Sequence, residues 1–169
     1  MTLEAKNIKK GDYLLLDDQP FVVLGNDHYT KSGTHFCKVH IENFMSNHRS
    51  EKHFSDKQIV RNLESTQTTY DLIGLLDDTG GKQFLSLLTK DDIQPVENKF
   101  VEHDDIVKYL TNYLEENDDP LSVTFTSVEA PKHHRIESDK NFERITHLQG
   151  FDMKYQHDHH HKHHHVHTA

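Results

Sequence analysis

NDHYTKSGTHFCKVHIENF, residues Asn26 to Phe44, runs from one β-forming segment through a polar tip into another. After the tip, Cys37, Val39 and Ile41 alternate with Lys38, His40 and Glu42. That period of two predicts a strand with one buried face. Between the arms lies Lys31-Ser-Gly-Thr-His35, with Gly33 where a tight turn needs positive φ. Read by itself, the stretch is a β-hairpin with a polar tip.

Working outward, Tyr13-Leu-Leu-Leu-Asp17 and Phe21-Val-Val-Leu24 are short β-runs separated by the turn residues Asp17-Asp-Gln-Pro20. Residues 1–12 read as a lead-in with a basic cluster, turned at Gly11. His53-Phe54 and Gln58-Ile-Val-Arg61 supply closing strands, giving a small SH3-like barrel. Asn62 to Thr69 is polar without an apolar pattern, so a boundary is expected there. A second hairpin follows: Asp71-Leu-Ile-Gly-Leu-Leu76, a turn at Asp77–Gly81, and Phe84-Leu-Ser-Leu-Leu88. Lys90–Asp92 turns the chain into a weaker strand from Ile93 to Val101, which Pro95 confines to an edge.

Then the period changes. Ile106, Val107, Leu110, Tyr113 and Leu114 recur at helical spacing behind Glu102, Asp104 and Asp105, whose charge suits a helix N-terminus. Asn117-Asp-Asp-Pro120 stops the helix, and Leu121–Thr126 alternates as a strand. Strands with one amphipathic helix fit an OB-type barrel, although period alone does not separate it from other small α+β folds. Pro131–Arg135 is a basic turn, and Phe142–Leu148 is a last strand or helix. The expected organisation is mainly β: a small SH3-like barrel over 1–67, a second β-rich domain compatible with an OB-type barrel over 68–150, and a His-rich tail over 151–169.

At 169 residues the chain is long enough to bury a real core. Hydrophobic content of 33% and a mean hydropathy of −0.83 are low, in part because of the tail. No stretch approaches the roughly 20 apolar residues of a membrane span, and no leader opens the chain, so a cytosolic or nuclear protein is expected, with cytoplasmic as the leading location. The net charge is −9. Residues 1–67 carry 9 basic and 9 acidic side chains, residues 68–150 carry 8 and 17, and the tail balances. An acidic second half repels a phosphate backbone, so any RNA contact is expected from the first domain.

The only cysteine, Cys37, excludes a disulfide within the chain; it reads as a small buried hydrophobe rather than a reactive thiol. Asp77-Asp78, Asp91-Asp92, Asp104-Asp105 and Asp118-Asp119 are paired acids, but each falls at a turn or helix end where Asp serves the backbone. His133-His134 lacks metal-motif spacing, and there is no P-loop or GxGxxG. No enzyme activity and no cofactor are expected. In the tail, His159, His160, His161, His163, His164 and His165 form a low-complexity run that binds zinc or nickel weakly as a chemical property, without an assigned metal role. Asp158, Lys162 and Val166 interrupt it, which favours a native tail over an expression tag.

Three stretches resemble the eukaryotic translation initiation factor 5A family and its bacterial relative, elongation factor P. They are Lys10-Gly-Asp-Tyr-Leu-Leu-Leu-Asp-Asp-Gln-Pro-Phe-Val-Val-Leu24, Lys31-Ser-Gly-Thr-His35 with Lys38-Val-His40, and Tyr70-Asp-Leu-Ile-Gly-Leu-Leu-Asp-Asp78 with Phe84-Leu-Ser-Leu-Leu88. The stretches run from Lys10 to Leu88, and the resemblance extends over about residues 9–128. The resemblance implies an SH3-like (KOW-type) barrel followed by an OB-fold barrel, and a protein that meets the ribosome near peptidyl-tRNA. In the family, a lysine after Thr-Gly is extended to hypusine, a long cation able to reach into phosphate-lined RNA. Here Thr34 stands at that place and the tip is one residue shorter. A threonine has no amine to extend. Either Lys31 takes the modified place through a shifted alignment, or the chemistry is lost and the protein is a divergent paralogue.

Two functions follow. The first is a translation factor 5A-like protein acting in elongation, not hypusinated at the usual position. It binds ribosome or RNA through its first domain, with Lys31, Ser32, Gly33, Thr34 and His35 facing RNA and Lys38, Arg49 and Lys52 as candidate phosphate contacts. The alternative is a structural subunit of a self-assembled or large multi-protein complex. The major protein of fungal Woronin bodies, which resembles the same fold, also lacks the lysine and assembles into a lattice.

Overall fold

The computed structural model describes residues 1–77, 80, 83–89, 94–101, 103–131 and 141–153. The described chain is mainly β, two antiparallel sheets with one α-helix. The strands are β1 (Thr2–Glu4), β2 (Tyr13–Leu16), β3 (Gln19–Lys31), β4 (Thr34–Asn43), β5 (Arg49–Ser55), β6 (Ile59–Leu63), β7 (Ser65–Asp77), β8 (Gln83–Leu88), β9 (Val96–Val101), β10 (Leu121–Val128) and β11 (Phe142–Leu148). The helix α1 is Asp104–Glu116. One sheet has the order β1-β6-β2-β3-β4-β5 and the other β11-β10-β7-β8-β9. The chain divides into two compact units: residues 1–66 with 126–144, and 67–125 with 145–169.

In the first unit, β2 and β3 are joined by Asp17-Asp18, both with positive φ (52° and 62°). Aspartate tolerates that region, and two such residues make the tight turn whose twist matches the strands. The turn is therefore shorter than the sequence implied, and Gln19 and Pro20 already belong to β3 opposite Leu16 and Leu15. β3 then runs without a break into the long hairpin, with one irregularity between Val23 and Gly25. Ala5, Ile8, Leu14, Val23, Cys37, Val39, Ile41, Phe54 and Val60 form the core of this unit. Burying such aliphatic side chains contributes roughly 1.5–3 kcal/mol each. The lead-in is more ordered than expected: Thr2–Glu4 pairs with β6, and a 3₁₀ turn at Ala5–Asn7 sets Ala5 and Ile8 into the core.

Within the same unit, Arg144 donates to the carbonyl of Phe44 at 2.9 Å and to the side chain of Asn47. Burial pushes its pKa down, against the opposing charge of Glu42 and the nearby Tyr13. Asn43 closes the β4–β5 connection, its side-chain oxygen accepting from the amides of Met45 (2.9 Å) and Ser46 (3.0 Å).

In the second unit α1 buries Ile106 and Leu110 among Leu72, Leu85, Leu87, Leu121, Val123 and Phe125. The acidic pair Asp104 and Asp105 occupies its first turn, and Asn117 ends it by donating its backbone N–H and its side-chain amide to the carbonyl of Tyr113. The polar stretch Asn62–Thr69, where a boundary is expected, is nearly all strand: β6 ends at Leu63 and β7 begins at Ser65. Residues Ser65 to Thr69 are all exposed, and Thr66, Thr68 and Thr69 are β-branched. They favour extended backbone without leaving an apolar period to read. The turn at Asp77–Gly81, the turn at Lys90–Asp92 with Ile93, Glu102, most of the basic Pro131–Arg135 turn and the tail from Lys154 onward lie wholly or largely outside the described residues.

Candidate functional site

The tip is a two-residue turn. Lys31 pairs with Thr34, Thr30 with His35, Tyr29 with Phe36 and His28 with Cys37. Ser32 and Gly33 between them have φ of 52° and 77°. Positive φ at both central positions is what a two-residue hairpin loop demands, and serine there accepts strain that glycine does not. Lys31, Ser32, Gly33, Thr34 and His35 are all exposed. Thr30 and His35 side chains meet at 3.2 Å, and the rings of Tyr29 and Phe36 stack at 5.5 Å just behind. The result is a narrow finger carrying one cation, Lys31, which forms no ion pair among the described residues.

Of the remaining sequence-predicted contacts, Lys38 and Arg49 lie on one outward face of β4 and β5, whereas Lys52 lies on the other face. Lys38 Nζ is 3.6 Å from Glu51, and Arg49 Nε donates to Glu42 at 3.0 Å. His40 Nε2 is 2.8 Å from Asp27. Lys52 is exposed, opposite Val39 in the register, and has no ion pair among the described residues. Lys31 and Lys52 are thus the two predicted cations not engaged by a carboxylate. The six tail histidines, His159 to His161 and His163 to His165, lie outside the described residues.

A polar group missed by sequence reading sits further down the hairpin. Cys37 is fully buried. Its thiol donates to Asp56 Oδ1 at 3.3 Å and lies 3.6 Å from His28 Nδ1. Burial, followed by the hydrogen bond and the negative charge of Asp56, pushes the thiol pKa up to about 11. A protonated, enclosed thiol is a poor nucleophile, in keeping with the packing role read from the sequence. The Asn26 side chain adjoins the same sulfur and favours its ionised form. Asn26 donates to the carbonyls of Ala5 and Ile8 at 3.0 and 3.1 Å, while its own side-chain oxygen is buried with no hydrogen-bond partner. A two-residue turn at Ser32-Gly33 was the signal that could have found the His28–Cys37 pair, since it fixes every pairing behind it.

No membrane-crossing helix occurs among the described residues. No protein-family model and no curated protein matches the chain. Solved structures do. A translation initiation factor eif-5a family protein from Naegleria fowleri superposes with a TM-score of 0.65 at 15% identity, over 88% of this chain and 96% of the other. Eukaryotic translation initiation factor 5A from Methanococcus jannaschii superposes with a TM-score of 0.55 at 12% identity, over 88% and 93%. The chain therefore shares the fold of initiation factor 5A proteins across nearly their whole length.

Proposed function

We propose that this protein is a translation factor 5A-like protein that binds the ribosome or RNA and acts in elongation, without hypusine at the usual position. Its two domains, an SH3-like barrel over 1–67 and an OB-fold barrel over 68–150, divide the work. The first presents the tip Lys31–His35 to RNA, and the second, acidic, stays clear of the phosphates. The observation that carries the reading is the fold match over 88% of this chain and 96% of an eif-5a family protein. A narrow finger with an exposed lysine adds to it. With Thr34 after the turn, the finger lacks a long cation, so phosphate contact rests on Lys31 and Lys52. The expected result is co-sedimentation with ribosomes that weakens steadily as salt rises. Absence from the ribosomal fraction at low salt contradicts it.

A second reading is favoured by the neutralised outer face, where Lys38 is paired with Glu51 and Arg49 with Glu42. Such a face suits contact with another protein surface better than with a polyanion, and the protein is then a structural subunit. Light scattering after size exclusion separates the two: a monomer at micromolar concentration removes the self-assembled form.

A further inference from the structure

The His28, Cys37 and Asp56 group is assembled by register alone. His28 faces Cys37 across β3 and β4, Cys37 faces Phe54 across β4 and β5, and Asp56 follows β5 directly. The amide of Asp56 donates to the carbonyl of His35 at 3.1 Å, and Lys6 donates to the carbonyl of Asp56 at 3.0 Å, so the carboxylate is held from both sides of its backbone. One sulfur, one imidazole nitrogen and one carboxylate oxygen lie within 4.8 Å of one another. With Zn–S near 2.3 Å and Zn–N or Zn–O near 2.0–2.2 Å, two ligands of a tetrahedral ion stand about 3.6 Å apart. The sulfur-to-nitrogen and sulfur-to-oxygen separations here are 3.6 and 3.3 Å.

We propose that His28, Cys37 and Asp56 bind a divalent ion of the zinc class, a structural pin across the root of the hairpin with its fourth position left to water. The donor set of thiolate, imidazole and carboxylate selects a borderline-soft ion over magnesium or calcium. The Asn26 side chain adjoins the Cys37 sulfur and favours its ionised form, the form a metal ligand takes. His28 is solvent-exposed, which gives the ion a path in, while Cys37 is enclosed. Binding requires the Cys37 proton to leave as the sulfur–metal bond forms, so one proton is released per ion and apparent affinity rises with pH.

The tail histidines also take up such ions, so the experiment must read sulfur. Cys37 is the only cysteine in the chain. A sulfur-to-cobalt charge-transfer band on titrating the full chain with excess Co²⁺ therefore reports this site and not the tail. The expected result is a band that saturates, is displaced by Zn²⁺ and is absent from C37A. The exposed-side variant His28→Ala and the charge-neutral Asp56→Asn each weaken Co²⁺ binding at the band by tenfold or more, with circular dichroism unchanged. In parallel, Zn²⁺ slows alkylation of Cys37 in the native chain and fails to do so in His28→Ala. No band on the folded chain at excess Co²⁺, or a band of unchanged affinity in both His28→Ala and Asp56→Asn, overturns the proposal.

Discussion

At its tip the long hairpin holds Lys31, Ser32, Gly33, Thr34 and His35 in solvent, whereas three pairs back the same strands enclose Cys37 between His28 and Asp56. Both ends lie on the same ladder, yet their side chains meet different surroundings. The inner face of β3 and β4 carries Asn26, His28, Cys37 and Val39 in register, and it crosses from core to solvent along its length. Near the core it takes Val39 and Ile41; at the rim it takes a polar set that is half enclosed; beyond the rim it has nothing to pack. Stability therefore belongs to the root and accessibility to the tip, and substitutions should separate the two.

The largest effect expected is at the root. Ile41→Ala removes a fully buried side chain and should cost about 2–5 kcal/mol in urea denaturation, while Thr34→Ala at the exposed tip should stay within about 0.5 kcal/mol. Equal costs at the two positions would break the comparison. Next comes the thiol. With its pKa pushed up to about 11 from 9.0, metal-free Cys37 should alkylate roughly a hundredfold more slowly at pH 8 than an open thiol. The sign for stability follows: below pH 9 both states keep the proton and the contribution is full. As pH rises toward 11 the unfolded chain ionises first and the contribution is lost. Comparison with Cys37→Ala isolates it, since the variant should lose less stability over that interval.

A smaller effect sits in the turn. Gly33 has φ +77° and no atom within 4 Å of an added Cβ, so Gly33→Ala meets backbone strain without a clash. About 1–2 kcal/mol should appear as a lowered Tm. The smallest change in stability belongs to Lys31→Glu, which should leave Tm unchanged yet reduce ribosome co-sedimentation severalfold at low salt. Loss of both together would mean that the tip supports the fold after all.

The hairpin itself was legible because Cys37, Val39 and Ile41 alternate with polar residues, and the helix because Ile106, Leu110 and their neighbours recur at its own period. What escaped was structure without an apolar period. Ser65 to Thr69 is exposed on both faces of β7, so burial leaves no trace in its residue types. Thr2–Glu4 is too short to show alternation. The polar root escaped for another reason: His28 and Asp56 are distant in sequence and meet Cys37 only once two registers are fixed. The tip residues were legible as exposed, but which cations remain free was not, because Lys38 and Arg49 owe their partners, Glu51 and Glu42, to cross-strand pairing.

The most direct measurement is photo-crosslinking from position 34 on ribosomes, with a benzophenone side chain replacing Thr34 at the end of the turn. The translation-factor account expects crosslinks to ribosomal or transfer RNA that disappear as salt releases the protein. Crosslinks to protein alone, or none from a chain that still sediments with ribosomes, would contradict it.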